Sequence, residues 1–93
     1  MSIFTNQGYL SITLETGITI TGATVMKILY TKPDKTTGFF SASASGTTAL
    51  TYQFDNTDLD QAGKWRFQSF VTIGGLDAWG EVVIERIIEP IAI

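Results

Sequence analysis

The sequence predicts an all-β fold, an Ig-like antiparallel β-sandwich of about seven strands. Residues that favour strands, above all Thr, Ile and the aromatics, dominate the chain. Apolar and polar residues alternate at a period of two in most segments, whereas a helical period is almost absent. Turn residues recur at intervals of roughly 8–12 residues, a spacing that favours a sandwich. A small closed barrel is the alternative architecture.

Six strands account for most of the sequence, and a brief seventh follows Gly17 at residues 18–20. The six lie at residues 9–16, 24–32, 38–43, 48–54, 64–73 and 78–88. Alternation predicts that these apolar residues face the core: Leu10, Ile12, Leu14, Met26, Ile28, Tyr30, Leu50, Tyr52, Phe54, Trp65, Phe67, Val71 and Ile73. Turns are expected at residues 33–35, at Gly46 and at residues 74–75, because Pro, Asp and Gly favour turn geometry. Residues 55–63 form a long crossing loop with room for one helical turn.

Length and composition predict one domain, residues 1–93, with an apolar C-terminal tail at about 87–93. The chain has no cysteine and no histidine, so disulfides, thiolate chemistry and imidazole ligands or bases are excluded. Its net charge is −3 and its six bases are scattered along the sequence, which argues against a nucleic-acid partner. The N-terminus lacks a signal-peptide pattern, and no stretch approaches the ~20 apolar residues of a membrane span. We therefore expect no cofactor and no membrane partner.

The acidic residues offer two candidate sites, and each has a simpler interpretation. Asp55, Asp58 and Asp60 are closely spaced, as in a calcium loop, but the glycine and distal glutamate of an EF-hand are missing. We predict that they cap backbone amides in a turn. Glu81, Glu85 and Glu89 recur every four residues, which separates neighbours by about 13 Å on a strand, too far for an acid–base pair.

No other pattern indicates catalysis. Ser41, Ser43 and Ser45 have no histidine to activate them, and no phosphate-binding glycine motif is present. We expect no metal site, no catalytic residue and no enzymatic activity.

Asp60, Gly63 and Trp65 predict a structural corner between the two sheets. The acid would accept bonds from backbone amides, and the indole would fill the interior with its N–H bonded to a partner. An exposed aromatic that anchors a ligand is the competing interpretation.

Apolar residues on strand faces assigned to solvent predict a surface for protein partners. Leu29, Phe39 and Val83 belong to this group, and the chain also ends in an apolar segment. The candidate interface residues are Phe39, Phe70, Trp79, Ile87, Ile88, Ile91 and Ile93.

Two segments carry a family resemblance. Residues 30–38 read YTKPDKTTG and residues 58–68 read DLDQAGKWRFQ, and a strand beginning GEVV follows at residues 80–83. This pattern resembles small virion structural proteins of tailed bacteriophages. It is similar to the Ig-like N-terminal domain of phage baseplate upper proteins, over about residues 17–88. Lys35 stands where the family's turn has glycine.

The resemblance implies a non-enzymatic virion protein, made in the host cytoplasm, that decorates the capsid, joins head to tail, or belongs to the tail or baseplate. Its expected partners are other virion proteins and copies of itself. The alternative is an Ig-like module that binds carbohydrate or a cell-surface ligand through Trp79, Tyr9 and the loop at residues 55–63.

Overall fold

A computed structural model describes residues 3–91 and confirms the all-β prediction, because this part of the chain contains strands and turns but no helix. The eight strands are, in chain order, β1 (Ile3–Phe4), β2 (Ser11–Glu15), β3 (Val25–Thr31), β4 (Thr37–Ser41), β5 (Ser43–Ser45), β6 (Ala49–Gln53), β7 (Gly63–Ile73) and β8 (Leu76–Ile88). No helix long and apolar enough to cross a membrane occurs within residues 3–91.

The strands form two sheets. One has five strands in the order β1-β8-β7-β3-β4, and the other has three in the order β2-β6-β5. The larger sheet is mixed, because β1 runs parallel to β8 while its other neighbours pair antiparallel. We expected antiparallel pairing throughout, but the two-residue strand β1 is too short to be recognised from the sequence.

The core lies between the sheets and follows the predicted alternation. Ile28, Leu50, Trp65 and Phe67 are fully buried, and their strands turn every second side chain inward. All thirteen residues predicted to face the core are either buried or packed against it. Aromatic rings form its centre, with Tyr30, Phe40, Tyr52, Phe54, Trp65 and Phe67 in a chain of contacts.

The predicted strand at residues 38–43 is two strands in the structure, because the chain changes sheets at Ala42. The Ala42 amide still donates to the Met26 carbonyl in the large sheet at 3.1 Å. Ser43 then pairs with Thr51 in the small sheet. Residues 55–63 contain turns and no helical turn.

The C-terminal boundary also differs from the prediction. Ile87 and Ile88 belong to β8, where they pair with Ile3 and Phe4, so the tail starts after them. Ile87 is only 1% exposed.

A β-bulge shifts the alternation along β8. Gln68 pairs with Val82 and Phe70 with Trp79, so two residues, Gly80 and Glu81, lie opposite Ser69. Glycine fits closely here, because a Cβ at position 80 would collide with the Ser69 hydroxyl unless that side chain moved. Beyond the bulge, even-numbered residues face outward.

Candidate protein interface

Exposed apolar side chains cross the outward surface of the five-stranded sheet. Phe39 lies beside Leu29, Leu29 beside Gln68, and Gln68 beside Val82, so this row spans β4, β3, β7 and β8. Ile84 follows in the next row, opposite Arg66. The four residues of the row and Arg66 line a shallow depression of about 450 Å³, which Ile84 does not border.

Basic side chains surround this apolar row. Lys27 lies over the Phe39 ring, with its Nζ 4.2 Å from the ring centroid. Arg66 lines the depression, and Lys64 and Arg86 are cross-strand neighbours on the same surface. We call this surface the apolar–basic face; its members are Lys27, Leu29, Phe39, Lys64, Arg66, Phe70, Trp79, Val82, Ile84 and Arg86.

The charge on this face differs from that of the whole chain. The net charge is −3, yet four of the six bases lie here. Among the described residues of β3, β4, β7 and β8, the only outward-facing acid is Asp77, which bonds to Thr72 (2.8 Å) near the β7–β8 turn.

The outward surface of the three-stranded sheet has the opposite character. Its side chains are polar and mostly hydroxylated, and we call it the hydroxyl face: Ser11, Thr13, Glu15, Ser43, Ser45, Thr51 and Gln53. Thr13 and Thr51 join their hydroxyls across the strands at 3.2 Å, and Thr51 also donates to the Ile12 carbonyl at 3.1 Å. Several polar groups of this face are therefore bonded within the molecule.

Five of the seven interface residues named from the sequence lie at the described surface. Phe39 lies in the apolar row. Phe70 and Trp79 pack against each other on the same face, with their ring centroids 5.2 Å apart. Ile88 is partly exposed beside Phe4. Ile91 is almost fully exposed after β8.

Two of these residues do not contribute to the described surface. Ile87 is buried in the core, so its inclusion in an interface was wrong: the alternation of β8 turns it inward toward the small sheet. Ile93 lies outside the described residues. Val82 and Ile84 were missed in the sequence. The apolar run 82–84 could have indicated them, because a strand with apolar residues on both faces often has both faces covered.

The corner residues form a connected polar cluster around a buried ring. Trp65 is fully buried, and its indole N–H donates to the Gln61 carbonyl at 2.9 Å. Asp60 accepts from the Lys32 ammonium at 2.9 Å, so its partner is a side chain and not the backbone amides we expected. This hydrogen bond is the main reason that the pKa of Lys32 is raised. Gly63 has a φ of 129°, and a Cβ there would lie 2.8 Å from Pro33.

The acidic loop caps its own turn. One Asp58 oxygen accepts from the Asp55 amide at 2.7 Å and from the Tyr52 hydroxyl at 2.6 Å. Burial, helped by this carboxylate, raises the pKa of Tyr52 to about 12. Within residues 3–91 no group of three acidic side chains is arranged to hold a metal ion.

Tyr9 and Trp79, named together as a ligand site, lie far apart. Tyr9 is 99% exposed and borders a pocket with Asp55 and Asn56 near the start of β2. Trp79 borders a different pocket with Glu15, at the end of β2. The structure does not bring the two rings into one site.

Comparison with protein-family models, with curated proteins and with solved structures finds no match to this chain.

Proposed function

We propose that this chain is a non-enzymatic structural subunit of a bacteriophage particle and that it acts by protein–protein assembly through the apolar–basic face. The observation that carries the proposal is the row formed by exposed Phe39, half-buried Leu29 and exposed Val82 on β4, β3 and β8, with Gln68 of β7 between Leu29 and Val82. Val82 is 49% exposed and Phe39 is 51% exposed. A contiguous apolar patch on a small domain is costly in water and marks a surface for a partner.

The charges of this face specify the partner's chemistry. Lys27, Lys64, Arg66 and Arg86 surround the apolar row. A partner surface with an apolar centre and acidic groups at its rim would match it, because complementary charges fix the orientation of an interface and reject surfaces of like charge.

An Ig-like fold is part of the proposal. The arrangement β8-β7-β3-β4 facing β2-β6-β5 parallels the way a variable-type Ig domain places its G, F, C and C′ strands against B, E and D. The buried tryptophan differs in position: Trp65 lies on β7, the F-like strand, whereas antibody domains carry theirs on strand C.

The phage assignment rests on the two segments that resemble virion proteins, and these segments meet in space. Lys32 of the first bonds to Asp60 of the second, and the Gln61 amide donates to Asp34 at 2.8 Å. Both motifs therefore build one corner.

The test is complementation of the virus or prophage that encodes the chain. Particles are assembled with wild-type, Val82→Asp or Thr13→Asp chain, and the copies per particle are counted by quantitative mass spectrometry. Both substitutions add one carboxylate at an outward strand position, but only Val82 lies on the apolar–basic face. We expect wild-type and Thr13→Asp chain in particles and Val82→Asp chain to be largely excluded. Particles that contain no wild-type chain would contradict the proposal.

A ligand-binding module remains the second candidate because of one feature. The Tyr9 ring is 99% exposed beside Asp55 and Asn56, at a pocket of about 390 Å³. Aromatic rings beside hydrogen-bonding side chains suit sugar recognition. A glycan array that compares wild-type with Tyr9→Ala tests it, and binding that depends on Tyr9 would favour this function over assembly.

A further inference from the structure

Strand β4 forms one edge of the five-stranded sheet. It pairs with β3 on one side, and within residues 3–91 no strand pairs with its other side. Its sequence, TGFFS, contains no charged residue and no proline, and its pairing with β3 has no bulge. Charges, prolines and bulges are the features by which proteins usually keep sheet edges from pairing, so this edge is open to a further strand.

The backbone groups of β4 that point away from β3 can be identified. The Ala42 amide donates to the Met26 carbonyl at 3.1 Å, so residue 42 directs its backbone groups toward β3. In an antiparallel strand the direction alternates from residue to residue. The N–H and C=O groups of Thr37, Phe39 and Ser41 therefore face the open edge, where no hydrogen bond within residues 3–91 uses them.

The residues outside the described range are too far away to cover the centre of this edge. Residues 1–2 precede β1, which lies four strand spacings, about 19 Å, from β4, and two residues span only about 7 Å. Phe39 is in line with Val82, whereas Ile88 ends β8 about 20 Å further along that strand. Residues 89–93 span about 18 Å at most and would also have to cross the sheet. None of these residues can reach the backbone groups of Phe39.

We propose that two copies of this chain pair through β4, antiparallel and about a twofold axis at Phe39, so that their two five-stranded sheets become one continuous sheet. The proposal rests on the assembly function and names a second copy of the chain as the partner of β4. A twofold contact of this kind is closed, so it gives a dimer and not a filament. The dimer presents its two apolar–basic faces side by side as one surface.

The positions of the outward backbone groups select this register. With the axis at Phe39, Thr37 lies opposite Ser41 of the second copy, and all three outward-facing residues exchange hydrogen bonds with a partner. An axis one residue earlier or later leaves one of them unpaired, because its partner position falls in the turn before β4 or in β5 of the small sheet. An axis between two residues sets outward-facing groups against residues whose groups point toward β3.

The side chains of β4 suit the same register. Phe39 is 51% exposed in the single chain, and the axis brings its ring against the ring of its symmetry mate. Thr37 and Ser41 of the two copies meet on the outer face, where their hydroxyls form a cross-strand pair. Because β4 carries no charged residue, the pairing sets no like charges directly opposite each other within the two strands.

The register also joins the apolar rows of the two copies. In each copy Phe39 lies beside Leu29, Leu29 beside Gln68, and Gln68 beside Val82. With the axis at Phe39 the two rows meet at the paired rings and continue as a single row from one copy to the other. Moving the axis by one residue would displace one row from the other by two residues, about 7 Å.

Single cysteines test the register without interference, because the chain has none. Thr37→Cys and Ser41→Cys replace exposed residues at the two ends of β4. The two variants are mixed while reduced and are then oxidised. We expect the mixed disulfide to form at least about tenfold faster than either variant links to itself, because Cα atoms of paired residues lie about 5.5 Å apart, whereas symmetry-related copies of one position lie about 14 Å apart. Equal rates, or no mixed disulfide, would overturn the proposal.

A proline on the same strand provides a second test. Thr37→Pro removes an outward N–H group, and an edge strand tolerates proline where this group faces solvent. Thr37→Val is the matched control, because it removes the hydroxyl but keeps the N–H. By analytical ultracentrifugation of variants shown to be folded by circular dichroism, we expect Thr37→Val to dimerise like the wild type. The dimer dissociation constant of Thr37→Pro should be at least about tenfold higher. A wild-type chain that is monomeric, or equal dissociation constants for the two variants, would contradict pairing through β4.

The result is separable from the proposed function. A chain that enters particles through the apolar–basic face but fails the tests on β4 would retain its assembly role and lose only this dimer. A chain that dimerises through β4 and is absent from particles would retain the dimer and lose the virion role.

Discussion

On the outside of the three-stranded sheet, the Thr13 hydroxyl donates to Thr51, and the Thr51 hydroxyl donates to the backbone. On the outside of the five-stranded sheet, Phe39, Val82 and Ile84 instead lie exposed beside basic side chains. The two faces enclose one core. They differ in the chemistry of the side chains that they expose to water. Polar side chains remain well solvated at the hydroxyl face, so water is an adequate neighbour. The exposed apolar surface of the apolar–basic face is unfavourable in water, and a partner that covers it lowers the free energy.

The comparison implies that stability and assembly depend on different residues. The largest loss of stability should come from the core that both faces share, where Trp65 is fully buried. We expect Trp65→Ala to lower the free energy of unfolding by about 3–5 kcal/mol, through the cavity and the lost contacts. Urea denaturation followed by circular dichroism measures it, and a loss below about 1 kcal/mol would show that the sheets do not depend on this ring.

The next effect concerns the link between the three-stranded sheet and the acidic loop. Tyr52→Phe removes the hydroxyl that donates to Asp58 at 2.6 Å, and we expect a loss of about 1.5–3 kcal/mol near neutral pH, since the acceptor is charged.

The same variant should change the alkaline limit of stability. The pKa of Tyr52 is about 12 in the folded chain against 10.0 for the free side chain, so the unfolded state releases this proton first. The contribution is therefore complete below pH 10 and is lost as the pH rises toward 12. Tyr52→Phe should flatten the fall in stability across that interval; an unchanged slope would assign the fall to other groups, among them Lys32, whose pKa is also raised.

A smaller effect is expected on the hydroxyl face. Thr51→Val keeps the shape of the side chain but removes its bond to the Ile12 carbonyl and its contact with Thr13. We expect a loss of about 0.5–1.5 kcal/mol by urea denaturation. Ser43→Ala, at an exposed position on the same face, is the control and should stay within about 0.5 kcal/mol of wild type.

The smallest change in stability should come from the apolar–basic face. Val82→Ser alters a half-exposed side chain, so we expect the free energy of unfolding to stay within about 0.5 kcal/mol of wild type. The same variant should enter particles less efficiently than Thr51→Val, although Thr51→Val is the less stable chain. If incorporation instead followed stability in both variants, the two faces would not have separate roles.

The sequence was sufficient to predict the all-β class and the inward side of each long strand. In β7 the alternation of Trp65 and Phe67 with polar neighbours is a local signal, and local signals can be read from sequence. Two features depend on residues far apart in the sequence: the change of sheet at Ala42 and the pairing of β1 with Ile87. No local sequence pattern predicts them.

The bulge in β8 is the reason that the sequence predicted only some residues of the apolar–basic face. Strict alternation along β8 places Trp79 and Val83 on one face, and both were assigned to it. The extra residue at Gly80 and Glu81 instead places Trp79 with Val82 and Ile84. Gly80 was visible in the sequence, but the close approach of the Ser69 side chain on the neighbouring strand was not.

Hydroxyl-radical footprinting of the purified chain and of the assembled particle tests the central claim most directly. The reagent oxidises exposed aromatic rings: Phe39 and Trp79 lie on the apolar–basic face, and Tyr9, just before β2, lies outside it and is the internal control. We predict that assembly protects Phe39 and Trp79 while Tyr9 remains as reactive as in the free chain. Protection of Tyr9 with Phe39 and Trp79 unchanged would contradict the assignment of the apolar–basic face as the assembly surface.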